Sequence, residues 1–119
     1  MIGDHDRRRS ARRAFVYAMC IDGLTEIAHA HGYALALHGS MTRDLDIVCV
    51  PWAEDVKPAE EMLAEMALQF SWVGGGEEGS GVVQGPTEKP HGRRAWSIVL
   101  GSGAYFDVSV TPMAAKERM

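Results

Sequence analysis

Apolar residues recur at intervals of three and four from Arg8 to His31. Phe15, Met19, Leu24 and Ile27 form a stripe that Val16 and Cys20 widen. This is the period of an amphipathic helix. His31-Gly32 marks its end, because glycine adopts the left-handed backbone that follows a last helical turn. Gly23, in the middle, costs roughly 1 kcal/mol relative to alanine and marks a point where the helix can kink.

The period then changes. Tyr33 to His38 predicts a strand that turns at Gly39-Ser40, and Leu45 to Val50 a second strand ended by Pro51. Their spacing suits antiparallel neighbours joined by a tight connection. Pro58 opens a second helix, since its fixed φ and missing N–H suit a first helical position. Met62, Leu63, Met66 and Phe70 give that helix an apolar face; Glu60, Glu61 and Glu65 keep the other face wet. Gly74 to Gly81 reads as a mobile connector. Val82 to Gln84 predicts a short strand and Gly85 to Arg94 a loop. Ala95 to Leu100 and Ala104 to Val110 predict a hairpin around Gly101-Ser102-Gly103. The order α, β, β, α and then a run of β predicts an α+β domain, with helices packed on a mixed or antiparallel sheet.

The 119 residues make room for one domain. Residues 1–6 and 113–119 are expected to be flexible ends. With 46% hydrophobic and 24% charged residues, the chain is neither disordered nor a fibrous repeat. No apolar run approaches the ~20 residues that span a bilayer, so no membrane role is expected. The charged N-terminus lacks the pattern of an export signal, and two cysteines, Cys20 and Cys49, are too few for a zinc site of their own. A reduced, cytoplasmic protein is the expectation.

The net charge of −4 argues against a protein coated in positive charge. Basic residues are instead local: Arg7, Arg8, Arg9, Arg12 and Arg13 in the first helix, then Lys89, His91, Arg93 and Arg94. Either group could contact phosphates. Lys89 to Arg94, followed by Trp96, could hold a triphosphate, or a nucleic acid with Trp96 as a stacking platform. Trp96 also alternates with Ile98 and Leu100, as a core residue would. The segment Gly74 to Gly79 lacks the lysine and hydroxyl of a phosphate loop. His29 and His31 need only the dipole of the helix end they occupy.

The segment from Leu37 to Val50 holds the sharpest chemistry. Asp44 and Asp46 stand two apart where an apolar strand begins, so alternation puts both on one face, roughly 6–7 Å apart. Leu45 and Ile47 then face the core. Like charges so placed raise each other's pKa unless a cation lies between them. In the last strand Tyr105, Asp107 and Ser109 share one face, and Phe106, Val108 and Val110 the other. Were this strand beside the first, three carboxylates would converge, as they do where two divalent ions direct in-line phosphoryl transfer. His38, Ser40 and Asp107 could be drawn as a hydrolytic triad, but no G-x-S-x-G elbow accompanies them.

Gly39-Ser40, a spacer, Asp44-Leu45-Asp46-Ile47 and a later Asp107 together resemble the signature of the DNA polymerase β superfamily of nucleotidyltransferases, in its minimal members. Smaller features, such as Pro51-Trp52 and the segment Lys89 to Trp96, look like small phage- or prophage-encoded proteins of that type. The resemblance implies a nucleotidyltransferase-like fold that transfers a nucleoside monophosphate from an NTP to a hydroxyl on a protein or nucleic-acid acceptor. It implies that Asp44, Asp46 and Asp107 are catalytic and hold Mg²⁺ or Mn²⁺. Gly39, Ser40 and Arg43, with Arg93 and Arg94, would bind the nucleotide. The spacer is short, only Met41, Thr42 and Arg43, where the family has a longer phosphate-cradling turn. The alternatives are a non-catalytic, phage-derived binding or assembly module on the same fold, and a small nucleic-acid-binding protein using the Arg7–Arg13 helix. Amphipathic helices on so small a domain also suit a homodimer.

Overall fold

A computed structural model describes residues 4–76 and 78–113, with backbone alone over residues 4–11. The elements are α1 (Asp4–Ala30), β1 (Tyr33–His38), β2 (Leu45–Pro51), α2 (Ala59–Phe70), β3 (Val82–Glu88), β4 (Arg94–Gly101) and β5 (Ala104–Val110). A single 3₁₀ turn, Pro90–Gly92, precedes β4. The five strands form one open sheet in the order β1-β2-β5-β4-β3. All neighbours are antiparallel except β2 and β5, which run parallel, so the α+β class and the mixed sheet are as expected. No helix among the described residues is long and apolar enough to cross a membrane.

Alternation along the strands decides which face is covered. Leu45, Ile47 and Cys49 of β2, Phe106, Val108 and Val110 of β5, and Trp96, Ile98 and Leu100 of β4 are buried. They pack in one core with Tyr17, Cys20, Leu24 and Ala28 of α1 and Ala59, Met62, Leu63, Met66 and Ala67 of α2. Both helices therefore cover the same face. The intervening strand residues, Asp46, Val48, Ser97, Asp107 and Ser109, line a cleft on the other.

Several expectations are corrected. Of the stripe counted on α1, Cys20 and Leu24 are buried and Ile27 packs on the core, but Phe15 is 67% and Met19 63% exposed. Tyr17 takes the inward position, because an aromatic body can be buried once its hydroxyl finds partners. The helix runs unbroken through Gly23. A Cβ there would lie 2.7 Å from the Phe70 ring, so its hydrogen is what lets α2 approach α1. The loop expected from Gly85 to Arg94 is shorter, as β3 continues to Glu88 past an irregularity between Gln84 and Thr87. Nor is Gly74 loosely held: a Cβ there would meet the Leu100 carbonyl oxygen. Residues 4–6 belong to α1; residues 1–3 and 114–119, at the ends expected to be flexible, lie outside the described residues, as do the side chains of Arg7, Arg8 and Arg9.

Other expectations hold. α1 ends in Gly32 with φ +92°. The β4–β5 hairpin turns on Ser102 and Gly103, both with positive φ, as a two-residue turn matched to strand twist requires.

Candidate metal centre

Strand pairing brings the acids together. β2 and β5 are hydrogen-bonded neighbours in a register that sets Asp46 directly beside Asp107. Asp44, one residue before β2, projects to the same side. One carboxylate oxygen from each of Asp44, Asp46 and Asp107 lies within 4.8 Å of the other two. Hard oxygen donors at this separation suit a small divalent cation, whose octahedral shell is about 4 Å across, after a minor closure of the side chains. The donor set thus fits Mg²⁺ or Mn²⁺, and has none of the sulfur or imidazole that would favour softer metals.

The electrostatics of the cluster show at Asp46. Asp46 is pushed up to about 6, first by its partial burial, then by the charge of Asp44, by a hydrogen bond shared with Asp44, and by Asp107; His38, its partner across β1, opposes the rise. Tyr105, next along the same face of β5, is also raised, with Asp44 the largest cause.

Gly39 abuts this centre. Its φ is +81°, and a Cβ would lie 2.7 Å from Asp46 Oδ2, so both conformation and space call for glycine. Ser40 and Thr42 hydroxyls share a hydrogen bond of 2.9 Å within the β1–β2 connection, and the Ser40 side chain is exposed. This connection contains no helical turn. The Arg43 side chain is exposed, while its carbonyl accepts a 2.7 Å hydrogen bond from the Tyr17 hydroxyl.

That hydroxyl was not singled out from the sequence. It also accepts the backbone N–H of Tyr105 at 3.2 Å. One atom on α1 thereby joins the residue before Asp44 to the residue two before Asp107. The sequence signal available was a tyrosine at helical spacing from Cys20 and Leu24.

A cleft of about 520 Å³ runs from the carboxylates along the uncovered sheet face. His38, Asp46 and Asp107 line it together with Lys89, Arg93 and Ser109; Ser97 and Gln84 stand level with Asp107 across β4 and β3, and Thr87 level with Ser109. Its size is that of a small-molecule site. Arg93 belongs to this cleft and Arg94 does not. Alternation turns Arg94 to the helix side, where it pairs with Glu60 at 3.2 Å and lies 5.0 Å from the centre of the Trp96 ring. Trp96 is 3% exposed, so it is a core residue and not an open platform for stacking. Arg94, expected with Arg93 at the nucleotide, thus stands outside the cleft and against Glu60.

Comparison of the chain with protein-family models, with curated proteins and with solved structures gave no match.

Proposed function

We propose that this protein is a metal-dependent nucleotidyltransferase of minimal type, with Asp44, Asp46 and Asp107 as its catalytic carboxylates. The observation that carries the reading is the convergence of the three on adjacent parallel strands, within 4.8 Å, at the end of a cleft of nucleotide size. Divalent ions held there would supply Lewis-acid stabilisation of charge on the transferring phosphoryl group. Asp44 and Asp46 would hold them jointly. Asp107 would complete the shell and accept the proton of the acceptor hydroxyl. The acceptor oxygen forms a bond to the α-phosphorus as the bond to the bridging oxygen of the β-phosphate breaks, and pyrophosphate leaves. Gly39 would admit phosphate close to the backbone, with Ser40 and Arg43 as further contacts from the same connection. The nucleotidyltransferase-like character of the fold is part of this proposal.

The test is direct. Full-length protein with Mg²⁺ or Mn²⁺ and each α-labelled NTP should form a labelled product and release pyrophosphate, and Asp107→Asn should abolish both. Absence of Mn²⁺ binding, measured calorimetrically against the Asp44→Ala/Asp46→Ala double variant, would reject the proposal. One observation favours a second reading. The β1–β2 connection is a short turn with no helical amides to cradle phosphate, which suits a binding module that takes the cation without performing transfer. Mn²⁺ binding without pyrophosphate release would select that reading.

A further inference from the structure

We propose that Arg93, with Lys89 beside it, forms an anion site in the cleft distinct from the carboxylate centre, and that it receives a phosphate group of the substrate. The proposal rests on the reading of this cleft as the substrate site, but not on the transfer chemistry.

Four observations carry it. The Arg93 side chain is partly buried and lines the cleft. Among the described residues its only side-chain partner is neutral, the Ser109 hydroxyl, to which Nη1 donates at 3.2 Å. Taking a guanidinium partly out of water without a carboxylate is unfavourable, and an incoming anion offsets that cost. Second, the adjacent arginine shows the contrasting solution: Arg94 faces the helices and is neutralised by Glu60. Third, Lys89 lines the same cleft, and its backbone N–H donates to the Arg93 carbonyl at 2.8 Å, closing the turn Pro90–Gly92 between the two residues. Fourth, among the described residues the acids lining this cleft are Asp46 and Asp107, both of the metal centre.

Position narrows the ligand. Ser109 follows Asp107 by two residues on one face of β5, a separation of roughly 6–7 Å. A cation-loving centre and an anion-loving centre thus stand one phosphate linkage or two apart along a polar floor of Ser97 and Ser109. A small anion at a single point would not use both. A phosphorylated substrate would, with one phosphate at the reacting centre and another on Arg93. That second phosphate belongs either to the polyphosphate tail of the nucleotide or to the backbone of a nucleic-acid acceptor.

The test separates these sources and is independent of the metal. In EDTA, binding of tripolyphosphate and of a fluorescein-labelled single-stranded oligonucleotide to the full chain is measured by calorimetry and anisotropy. Arg93→Gln should weaken one of them by about tenfold or more, the range for a charge-assisted contact. Arg93→Lys should recover part of that loss, and Arg94→Gln should leave the affinity unchanged. Loss confined to tripolyphosphate assigns the site to the nucleotide tail; loss confined to the oligonucleotide assigns it to the acceptor. Wild-type protein that binds neither probe, or an Arg93→Gln variant that retains its circular dichroism and binds both as tightly as wild type, overturns the proposal. Failure of Mn²⁺ to bind Asp44, Asp46 and Asp107 would count against the enzymatic reading and leave this result standing.

Discussion

Asp46 has two acidic neighbours, Asp44 along its own chain and Asp107 across the ladder. Its folded pKa of about 6 stands above the ordinary 3.8. Between those values the folded protein holds more proton than the unfolded chain, so stability falls as pH rises through this window, and the penalty is complete above it. Asp44→Asn removes the largest neighbouring charge. We expect the metal-free variant to melt several degrees above wild type at pH 7.5, with the gap closing towards pH 4. Mn²⁺ should reverse the order at pH 7.5, because a ligand of the folded state stabilises only the protein that binds it well. Thermal melts at three pH values, with and without Mn²⁺, check both signs. A variant no more stable than wild type at neutral pH would show that the carboxylates are better solvated than their spacing suggests.

Among the elements, α1 does more than cover the sheet. The Tyr17 hydroxyl donates to the Arg43 carbonyl and accepts from the Tyr105 N–H, tying the start of β2 to the start of β5. Tyr17→Phe keeps the ring and removes both bonds, leaving a carbonyl and an amide short of a partner. The expected cost is about 1–3 kcal/mol in urea unfolding, together with a several-fold weaker Mn²⁺ affinity by calorimetry, since the two strand starts would no longer be held in step. Unchanged Mn²⁺ affinity would make Tyr17 a packing residue only. This contact also marks what the sequence could and could not yield. The Asp44/Asp46 face, the Asp107 face and the buried partners Leu45, Ile47, Phe106 and Val108 follow from strict alternation, which a strand cannot escape without a bulge. Parallel pairing of β2 with β5 follows from no local pattern, because it joins segments separated by α2 and a hairpin. The α1 stripe departs from expectation at Phe15 and Met19 for a related reason: counting apolar residues passes over a tyrosine, Tyr17, whose polar end is satisfied only by tertiary contacts. Arg93 and Arg94 could be told apart only once the register of β4 against β5 was known.

Taken whole, the molecule is one layer of helices on one sheet, with the two cysteines both inside. Cys20 and Cys49 are buried, and burial pushes their thiols up to about 11 and 12 respectively. Thiolate is the reactive form, so native protein should resist an aromatic disulfide reagent at pH 8. Reaction of both thiols should follow the same urea dependence as the loss of helix. Early reaction of Cys20 alone would show that α1 detaches before the sheet opens. The parallel β2–β5 junction has a further consequence for the chain as a connected object. Asp44 and Asp46 precede the glycine-rich segment after α2, and Asp107 follows it. A cut in that segment would give two fragments, neither of which owns a complete ligand set, and ion capture would then report their reunion.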